Sequence, residues 1–299
     1  MNEFLITELL QASFVLSFNK ISFKTYFMKT KSFYTIILIT TAMISTTSFA
    51  QTKKITSNIK EEIVTYDDNG KTLKGFLAYD ENKKGKRPAI LVVPEWWGVN
   101  DYTRMRARKL AELGYIAMAA DIFGNGLIAS NPKEAQDFTG PFYSDPQMTK
   151  GRVDAAIRKI KEYPQTDPDK IAAIGYCFGG FVVLNSAKLG SDLKGVVSFH
   201  GGLTGVPVNK SLLKAKILVC QGGSDKFVSK QDFDKLKHQL DSIGADNTFK
   251  IYANATHAFT NPDATEIGKE FNMPIEYNAA ADKDSWNDMK AFLDRIFSK

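Results

Sequence analysis

The stretch IAAIGYCFGG, residues 171–180, contains the features that decide the fold. Its first half is a short apolar run that predicts a buried strand, and Phe178 opens an apolar stretch long enough for a helix. Between them, Gly175 and Gly179 flank Cys177 in a G-x-C-x-G pattern. A strained strand-to-helix turn leaves no space for bulk two residues on either side of its tip, so the pattern predicts a nucleophile elbow with cysteine in place of serine.

This turn would bring the Cys177 thiol to the N-terminus of the following helix. The positive end of the helix dipole there favours a thiolate, and the backbone N–H of Phe178 could stabilise an oxyanion. A glycine-rich turn by itself also fits a dinucleotide-binding loop or a small buried cysteine. A phosphate-binding loop would need a Lys-Ser or Lys-Thr pair, which is absent here.

The rest of the chain alternates apolar strands with amphipathic helices. We predict strands at 61–66, 71–79, 88–93, 115–120, 171–175, 195–199, 215–220 and 248–252, and helices at 101–113, 146–163, 178–189, 230–243 and 283–297. The first two strands are separated by Asn69-Gly70, a strong signal for a hairpin turn. The alternation predicts an α/β fold of the hydrolase type, with a mostly parallel sheet and helices on both faces.

Polar residues follow several of these strands. Sites in such folds form beyond the carboxyl ends of the strands. The residues at these positions are Glu95, Asp121, Cys177, His200, Asp225 and His257. We therefore expect them to converge on one edge of the sheet.

The search for a general base is short because the sequence has three histidines. His238 lies among lysines on a predicted helix and is interpreted as a surface residue. His257 follows the last strand, and the order nucleophile, acid, histidine is that of α/β-hydrolases, so His257 is the expected base. His200 is interpreted as a pocket residue or a structural histidine.

Asp225 lies between the nucleophile and the base in the sequence, in the loop after the strand that ends at Cys220. A carboxylate there can hold the imidazole in the useful tautomer. A helix N-cap or a simple turn aspartate are the alternatives for Asp225. Cys220 itself is expected to be buried and unreactive.

At this point the sequence resembles the dienelactone hydrolase family over residues 60–299. The resemblance rests on the elbow at 175–180, the loop at 222–225, the segment at 257–259 and the segment PEWWGVN at 94–100. It implies a Cys-His-Asp triad together with Glu95, which contacts the thiol and helps to activate it. It also implies a second oxyanion donor, the backbone N–H of Trp96. The alternative for Glu95 is a surface ion pair with Arg104 or Arg106.

One departure from the family concerns the substrate. Family members that cleave dienelactone resemble one another in having an arginine four residues after the triad histidine, where this sequence has Asn261. A neutral amide cannot form the charged bidentate pair that holds a carboxylate. We expect an apolar or aromatic substrate pocket, formed by Trp97, Phe123, Tyr143, Phe199, His200 and Asn261.

The N-terminal region resembles a secretory signal peptide. Met28-Lys29-Thr30-Lys31 is followed by an apolar run at 33–44 and by Ser48-Phe49-Ala50. We expect cleavage after Ala50 and export to the periplasm or outside the cell, without stable membrane insertion; a retained anchor is the alternative. Residues 1–27 are interpreted as an overextended start, 28–50 as the signal, 51–60 as a linker and 61–299 as one catalytic domain.

The remaining expectations concern chemistry and partners. The net charge of +6 is spread over a lysine-rich surface and gives no reason to expect nucleic acid binding. No histidine or cysteine pair has metal-ligand spacing, so we expect no metal and no cofactor. We predict a hydrolase of small esters or lactones that is a monomer or a weak dimer, with two free thiols. A thioesterase or peptidase, or a non-catalytic ligand-binding or thiol redox-sensing protein, are the alternatives.

Overall fold

The computed structural model describes residues 57–298. The predicted signal peptide, the stretch before it and residues 51–56 of the predicted linker lie outside the described residues. The predicted linker extends to residue 60, and the first strand begins at Ile59. No helix within 57–298 combines the length and apolar character that crossing a bilayer requires.

The described residues form the expected α/β arrangement. The strands are β1 (Ile59–Asp68), β2 (Lys71–Asp80), β3 (Arg87–Val93), β4 (Ile116–Ala119), β5 (Thr166–Tyr176), β6 (Gly195–Phe199), β7 (Lys216–Gly222) and β8 (Asn247–Tyr252). The helices are α1 (Asp101–Leu113), α2 (Pro132–Ser144), α3 (Gln147–Lys161), α4 (Phe178–Lys188), α5 (Lys230–Ser242), α6 (Ala264–Glu270) and α7 (Ala279–Phe297).

The eight strands form one sheet in the order β1-β2-β4-β3-β5-β6-β7-β8. The β1–β2 and β2–β4 pairs are antiparallel, and the remaining pairs are parallel. Asn69 and Gly70 both have positive φ, 52° and 84°, as a two-residue hairpin turn requires. The predicted antiparallel edge and parallel centre are therefore confirmed.

The central strands of the sheet are buried on both faces, and each face has its own apolar cluster. One cluster includes Leu91, Ala173 and Val196 with the inner sides of α3 and α4. The other includes Ile90, Ile174 and Val197, which pack with residues of α1 and α7. Because neighbouring residues of a strand point to opposite faces, the apolar runs are continuous rather than alternating.

Two helices were not anticipated from the sequence. α2 contains Gly140 and Pro141, both poor helix formers, although Asn131 caps its first turn by accepting from the Glu134 N–H at 3.0 Å. α6 has only seven residues, too few for a periodic pattern. Both helices lie beyond carboxyl ends of strands, at the edge of the sheet where the candidate site is found.

Candidate active site

Cys177 occupies the turn between β5 and α4. Its backbone has φ 52° and ψ −114°, a conformation that residues other than glycine rarely adopt. A Cβ on Gly175 would lie 2.0 Å from the carbonyl oxygen of Gly179, and one on Gly179 would lie 2.2 Å from that of Val93. The predicted strand, tight turn and helix are therefore present, and the two glycines are needed because the backbone segments touch.

The Cys177 thiol, His257 and Asp225 form one hydrogen-bonded line. His257 Nε2 lies 3.0 Å from Cys177 Sγ, and His257 Nδ1 lies 2.9 Å from Asp225 Oδ2. An ionised carboxylate only accepts hydrogen bonds, so Nδ1 carries a proton. In a neutral His257 ring, Nε2 is then free to take the thiol proton.

The electrostatics of His257 favour its charged form. Burial lowers the pKa of His257, but the charges and hydrogen bonds of the Cys177 sulfur and the Asp225 carboxylate outweigh burial and raise that pKa to about 10. An imidazolium at hydrogen-bonding distance from a thiolate is the form in which a cysteine nucleophile attacks.

Asp225 is held in place by three further donors. The side-chain amide of Gln221 donates to Oδ2 at 2.6 Å, and the backbone N–H groups of Phe227 and Val228 donate to Oδ1 at 2.8 and 3.3 Å. The sequence reasoning missed Gln221. A polar residue at the end of the apolar strand β7 was the signal that could have identified it.

Glu95 follows β3 and faces the same cavity, but its side chain is 3% exposed and bonded to Asn261. Asn261 Nδ2 donates to Glu95 Oε2 at 2.8 Å. Burial raises the pKa of Glu95 to about 7, although the Asn261 hydrogen bond and the positive charges of His257 and Arg106 act to lower it. Glu95 is therefore close to half ionised at neutral pH.

Two expectations for Glu95 need correction. The resemblance implied a contact with the Cys177 thiol, yet no hydrogen bond among the described residues joins the two, because the thiol is bonded to His257. The alternative, a surface ion pair with Arg104 or Arg106, is also wrong. Glu95 is buried, and among the described residues neither arginine pairs with it; Arg106 pairs with Asp282 at 2.6 Å.

The cavity above the thiol has a volume of about 560 Å³. Of the predicted pocket residues, Trp97, Tyr143 and Asn261 line it, and so does Trp96. No lysine or arginine is among the described residues that line it. They are Glu95, Trp96, Trp97, Gln136, Thr139, Gly140, Tyr143, Cys177, Gly202, Leu203, Thr204, Phe227, Val228, Asp232, His257, Ala258, Asn261, Ala264, Ile267, Met273 and Ile275.

Phe123, Phe199 and His200 were expected in the pocket but lie behind its wall. Phe199 stacks on Tyr176 with ring centroids 4.7 Å apart, and Phe123 stacks on Phe178 at 5.7 Å. His200 is fully buried, and its Nδ1 accepts the backbone N–H of Cys177 at 3.1 Å. All three are buried, and none of them is among the residues that line the cavity.

The two cysteines are both free, as expected. Cys220 is fully buried in β7, and burial raises the pKa of its thiol to about 12, although a hydrogen bond from Tyr252 lowers it. Asp121, which also follows a strand, organises a loop instead of joining the site. It accepts backbone N–H groups of Lys74, Gly124 and Gly126 at 2.8–2.9 Å.

Comparison with known proteins gives consistent matches. A sequence model of the dienelactone hydrolase family matches residues 73–297. The structure of P91, a dienelactone hydrolase-like promiscuous phosphotriesterase from metagenomic libraries, is 31% identical, with 80% of this chain and 98% of that chain covered and a TM-score of 0.75. A structure named m3DLH is 33% identical, with 80% and 99% covered and a TM-score of 0.75. An Aquifex aeolicus protein named as a carboxymethylenebutenolidase is 26% identical, over 69% of this chain and 90% of its own length.

Proposed function

This chain belongs to the dienelactone hydrolase family, and from that premise we propose that this ester or lactone hydrolase works through a covalent thioester on Cys177. The observation that carries the proposal is the line from Cys177 Sγ through His257 to Asp225, with distances of 3.0 and 2.9 Å, at the floor of an apolar cavity. A nucleophile, a base and a group that orients the base are the parts that acyl transfer requires.

In the acylation step, His257 holds the thiol proton while the Cys177 sulfur attacks the acyl carbon. The C–S bond forms and the carbonyl electron pair moves onto oxygen, near the backbone N–H groups of Phe178 and Trp96. The Phe178 N–H is free for this role because it lies in the first turn of α4. Collapse of the intermediate breaks the C–O bond, and the leaving oxygen takes the proton from His257 Nε2.

In the deacylation step, a water molecule gives its proton to His257 and attacks the thioester carbon. The C–S bond breaks, the carboxylic acid leaves, and the proton returns to the sulfur. Asp225 stays ionised throughout, since it stabilises the imidazolium that forms in both steps.

We propose neutral substrates with apolar groups. The apolar residues that line the cavity include Leu203, Phe227, Val228, Ala264, Ile267, Met273 and Ile275. The ionisable side chains that line it include Glu95 and Asp232, and no lysine or arginine is among the described lining residues. The His257 imidazolium is already paired with Asp225 and Cys177, so a substrate carboxylate would find no free counter-ion.

The test uses 4-nitrophenyl butyrate and its charged counterpart, 4-nitrophenyl hemisuccinate. We expect a burst of nitrophenol equal to the enzyme concentration and, on rapid quenching, a mass increase of one butyryl group on the peptide that contains Cys177. The hemisuccinate should have a kcat/KM at least tenfold lower. Cys177→Ala and His257→Ala should each lose roughly a thousandfold in kcat, while the matched control Cys220→Ala keeps the burst.

Full turnover by Cys177→Ala, or a mass increase elsewhere, would sink the thioester mechanism. An absence of turnover on esters, lactones, thioesters and anilides, with Cys177 still reactive toward iodoacetamide, would favour the ligand-binding or redox-sensing alternative. That alternative gives no role to Asp225, whose three supporting hydrogen bonds fit catalysis better.

A second candidate reaction is hydrolysis of neutral phosphotriesters. The relative P91 is described as a promiscuous phosphotriesterase, and the absence of lysine and arginine from the described cavity lining suits a neutral triester as well as a neutral ester. Attack by the Cys177 sulfur would form an S–P bond and expel an aryloxide, which takes the proton from His257. Water would then attack phosphorus, the S–P bond would break, and the dialkyl phosphate would leave as the proton returns to the sulfur. Release of nitrophenol from diethyl 4-nitrophenyl phosphate by wild type but not by Cys177→Ala would support this activity, and equal rates would exclude it.

A further inference from the structure

A chain of buried side chains links the backbone of the nucleophile to the loop that carries the base. The Cys177 N–H is shared between the Phe199 carbonyl oxygen at 3.0 Å and His200 Nδ1 at 3.1 Å, and His200 Nε2 lies 2.7 Å from Thr260 Oγ1. Thr260 is three residues after His257. The two catalytic loops are thus joined beneath the cavity by a path separate from the contact between Cys177 and His257.

The direction of these hydrogen bonds is fixed by the donors. A backbone N–H can only donate, so His200 Nδ1 must accept, and the ring proton is on Nε2. His200 therefore donates to the Thr260 hydroxyl. Burial and the charges of His257 and Arg106 lower the pKa of His200 well below its usual value, which keeps the ring neutral and this tautomer in place.

Thr260 is held from its other side by helix α1. Its hydroxyl lies 2.7 Å from the Tyr102 hydroxyl, and its carbonyl oxygen accepts from the guanidinium of Arg106. Arg106 is 1% exposed and also donates to Asp282 of α7 at 2.6 Å. Both polar ends of Thr260 are therefore fixed to a rigid part of the molecule.

Unfavourable backbone conformations occur in both loops that this path connects and at His200 between them. Cys177 has φ 52°, His200 has φ 40° and Ala258, next to the base, has φ 59°. Such conformations persist in non-glycine residues only where surrounding contacts determine them. Hydrogen bonds to the Cys177 N–H and to Thr260 provide contacts of this kind.

We propose that His200 and Thr260 are positioning residues that hold Cys177 Sγ and His257 Nε2 at reacting distance. Neither contributes to the cavity lining. They act through the backbone, by fixing the elbow relative to the base loop. This inference rests on the proposed roles of Cys177 and His257.

The decisive variant is Thr260→Val, which keeps the shape of the side chain and removes the hydroxyl, with Thr260→Ser as the conservative control. For Thr260→Val we expect kcat for 4-nitrophenyl butyrate to fall at least tenfold while KM stays within about twofold. Thr260→Ser should recover most of kcat. Tyr102→Phe removes the hydroxyl that is bonded to Thr260 and should lower kcat about threefold. It replaces Thr260→Val as the test if that variant does not fold.

A second readout does not depend on any ester. The rate of alkylation of Cys177 by iodoacetamide is measured against pH by peptide mass spectrometry, with the buried Cys220 as an unreactive internal reference. In wild type the reaction should be fast at pH 7, because His257 Nε2 lies 3.0 Å from the sulfur and accepts its proton. In Thr260→Val the reaction at pH 7 should be slower, because His257 is no longer held at that distance.

A Thr260→Val enzyme with a lower melting temperature but unchanged kcat and alkylation profile would overturn the proposal, since the hydroxyl would then be only structural. Failure of the proposed function is distinguishable: Cys177→Ala would remain active toward esters, whatever Thr260→Val does to the alkylation profile.

Discussion

The side-chain amide of Asn261 donates to the carboxylate of Glu95 at 2.8 Å, across 166 residues of sequence. The other end of the amide is also occupied, because Asn261 Oδ1 accepts the backbone N–H of Asp263 at 3.0 Å. Asn261 therefore binds a carboxylate of the protein itself. In family members that cleave dienelactone, the resemblance implies an arginine at this position, which binds a carboxylate of the substrate. Both residues are less than 4% exposed.

Ionisation of Glu95 should appear in the pH dependence of hydrolysis. The pKa of Glu95 is raised to about 7, so the side chain becomes increasingly protonated as the pH falls through 7 and then stabilises the nearby imidazolium less. We expect kcat/KM to rise between pH 6 and 8 in wild type, and Glu95→Gln to be about tenfold less active and flat over that range. The exposed Glu112→Gln is the matched control and should keep the wild-type profile; an unchanged rise in Glu95→Gln would remove Glu95 from the reaction.

Removing the Asn261 amide should shift the pH at which kcat/KM rises. Its hydrogen bond lowers the pKa of Glu95, so Asn261→Leu, which leaves the carboxylate buried without its donor, should raise that pKa above 7. The rise in kcat/KM should shift to higher pH by about one unit. A shift to lower pH, or none, would contradict the assignment of the rise to Glu95.

The crowded glycines of the elbow and the uncrowded glycine of α2 give a matched pair. Gly175→Ala would bring a Cβ to 2.0 Å from the Gly179 carbonyl oxygen, whereas a Cβ on Gly140 would meet nothing within 4 Å. We expect Gly175→Ala to lower the free energy of unfolding by about 3 kcal/mol or more. We expect Gly140→Ala to change it by less than about 1 kcal/mol, because the gain in helix propensity is offset by the contact of the new Cβ with the Pro141 ring. Urea unfolding measures both, and equal effects would count against the backbone contact in the elbow.

Lys188 is a buried lysine whose ammonium has no ion pair or hydrogen bond within residues 57–298. Its side chain is 2% exposed, and burial lowers its pKa from 10.5 to about 8. The native state therefore releases this proton at lower pH than the unfolded chain does, and the cost of charging Lys188 is largest below pH 8. Lys188→Met should be more stable than wild type at pH 7, by on the order of 3 kcal/mol at most.

The stability difference between wild type and Lys188→Met should depend on pH if it comes from the cost of charging Lys188. It should not depend on pH if it comes from side-chain packing alone. Between pH 8 and 10.5 the unfolded chain binds more protons at Lys188 than the native state, so wild-type stability rises relative to that of Lys188→Met as pH increases. The gap measured by urea unfolding should shrink over that window. Lys109→Met, on the exposed side of α1, should show no such trend, and a constant gap for Lys188→Met would point to packing alone.

The central features of the fold could be predicted from local patterns. Helix α1 was predicted at its observed bounds, and so was β6, because an apolar run or a helical repeat with clear end signals specifies each of them. The start of α7 was predicted four residues late. Asn278 caps that helix by accepting from the Ala281 N–H at 3.1 Å, and the alanine-rich first turn lacks the apolar repeat that was used to find it.

The candidate triad was accessible from sequence because each member follows a strand and the three occur in a recognisable order. The contacts around it were not. The Glu95–Asn261 pair and the path from His200 through Thr260 to Tyr102 join residues 60 to 166 positions apart, and no local pattern records such a pairing. His200 was placed in the pocket because strand ends point there, but its neighbours bury the ring completely.

Helices α2 and α6 have a consequence for how this enzyme could diversify. They contribute Gln136, Thr139, Tyr143, Ala264 and Ile267 to the cavity, whereas the reacting groups are attached to the ends of β5, β7 and β8. The parts that recognise a substrate and the parts that transform it are thus encoded in different segments of the gene. Exchange of α2 or α6 for another short segment would change which molecules are accepted while leaving the chemical machinery intact, so new specificities are accessible through local insertions and replacements.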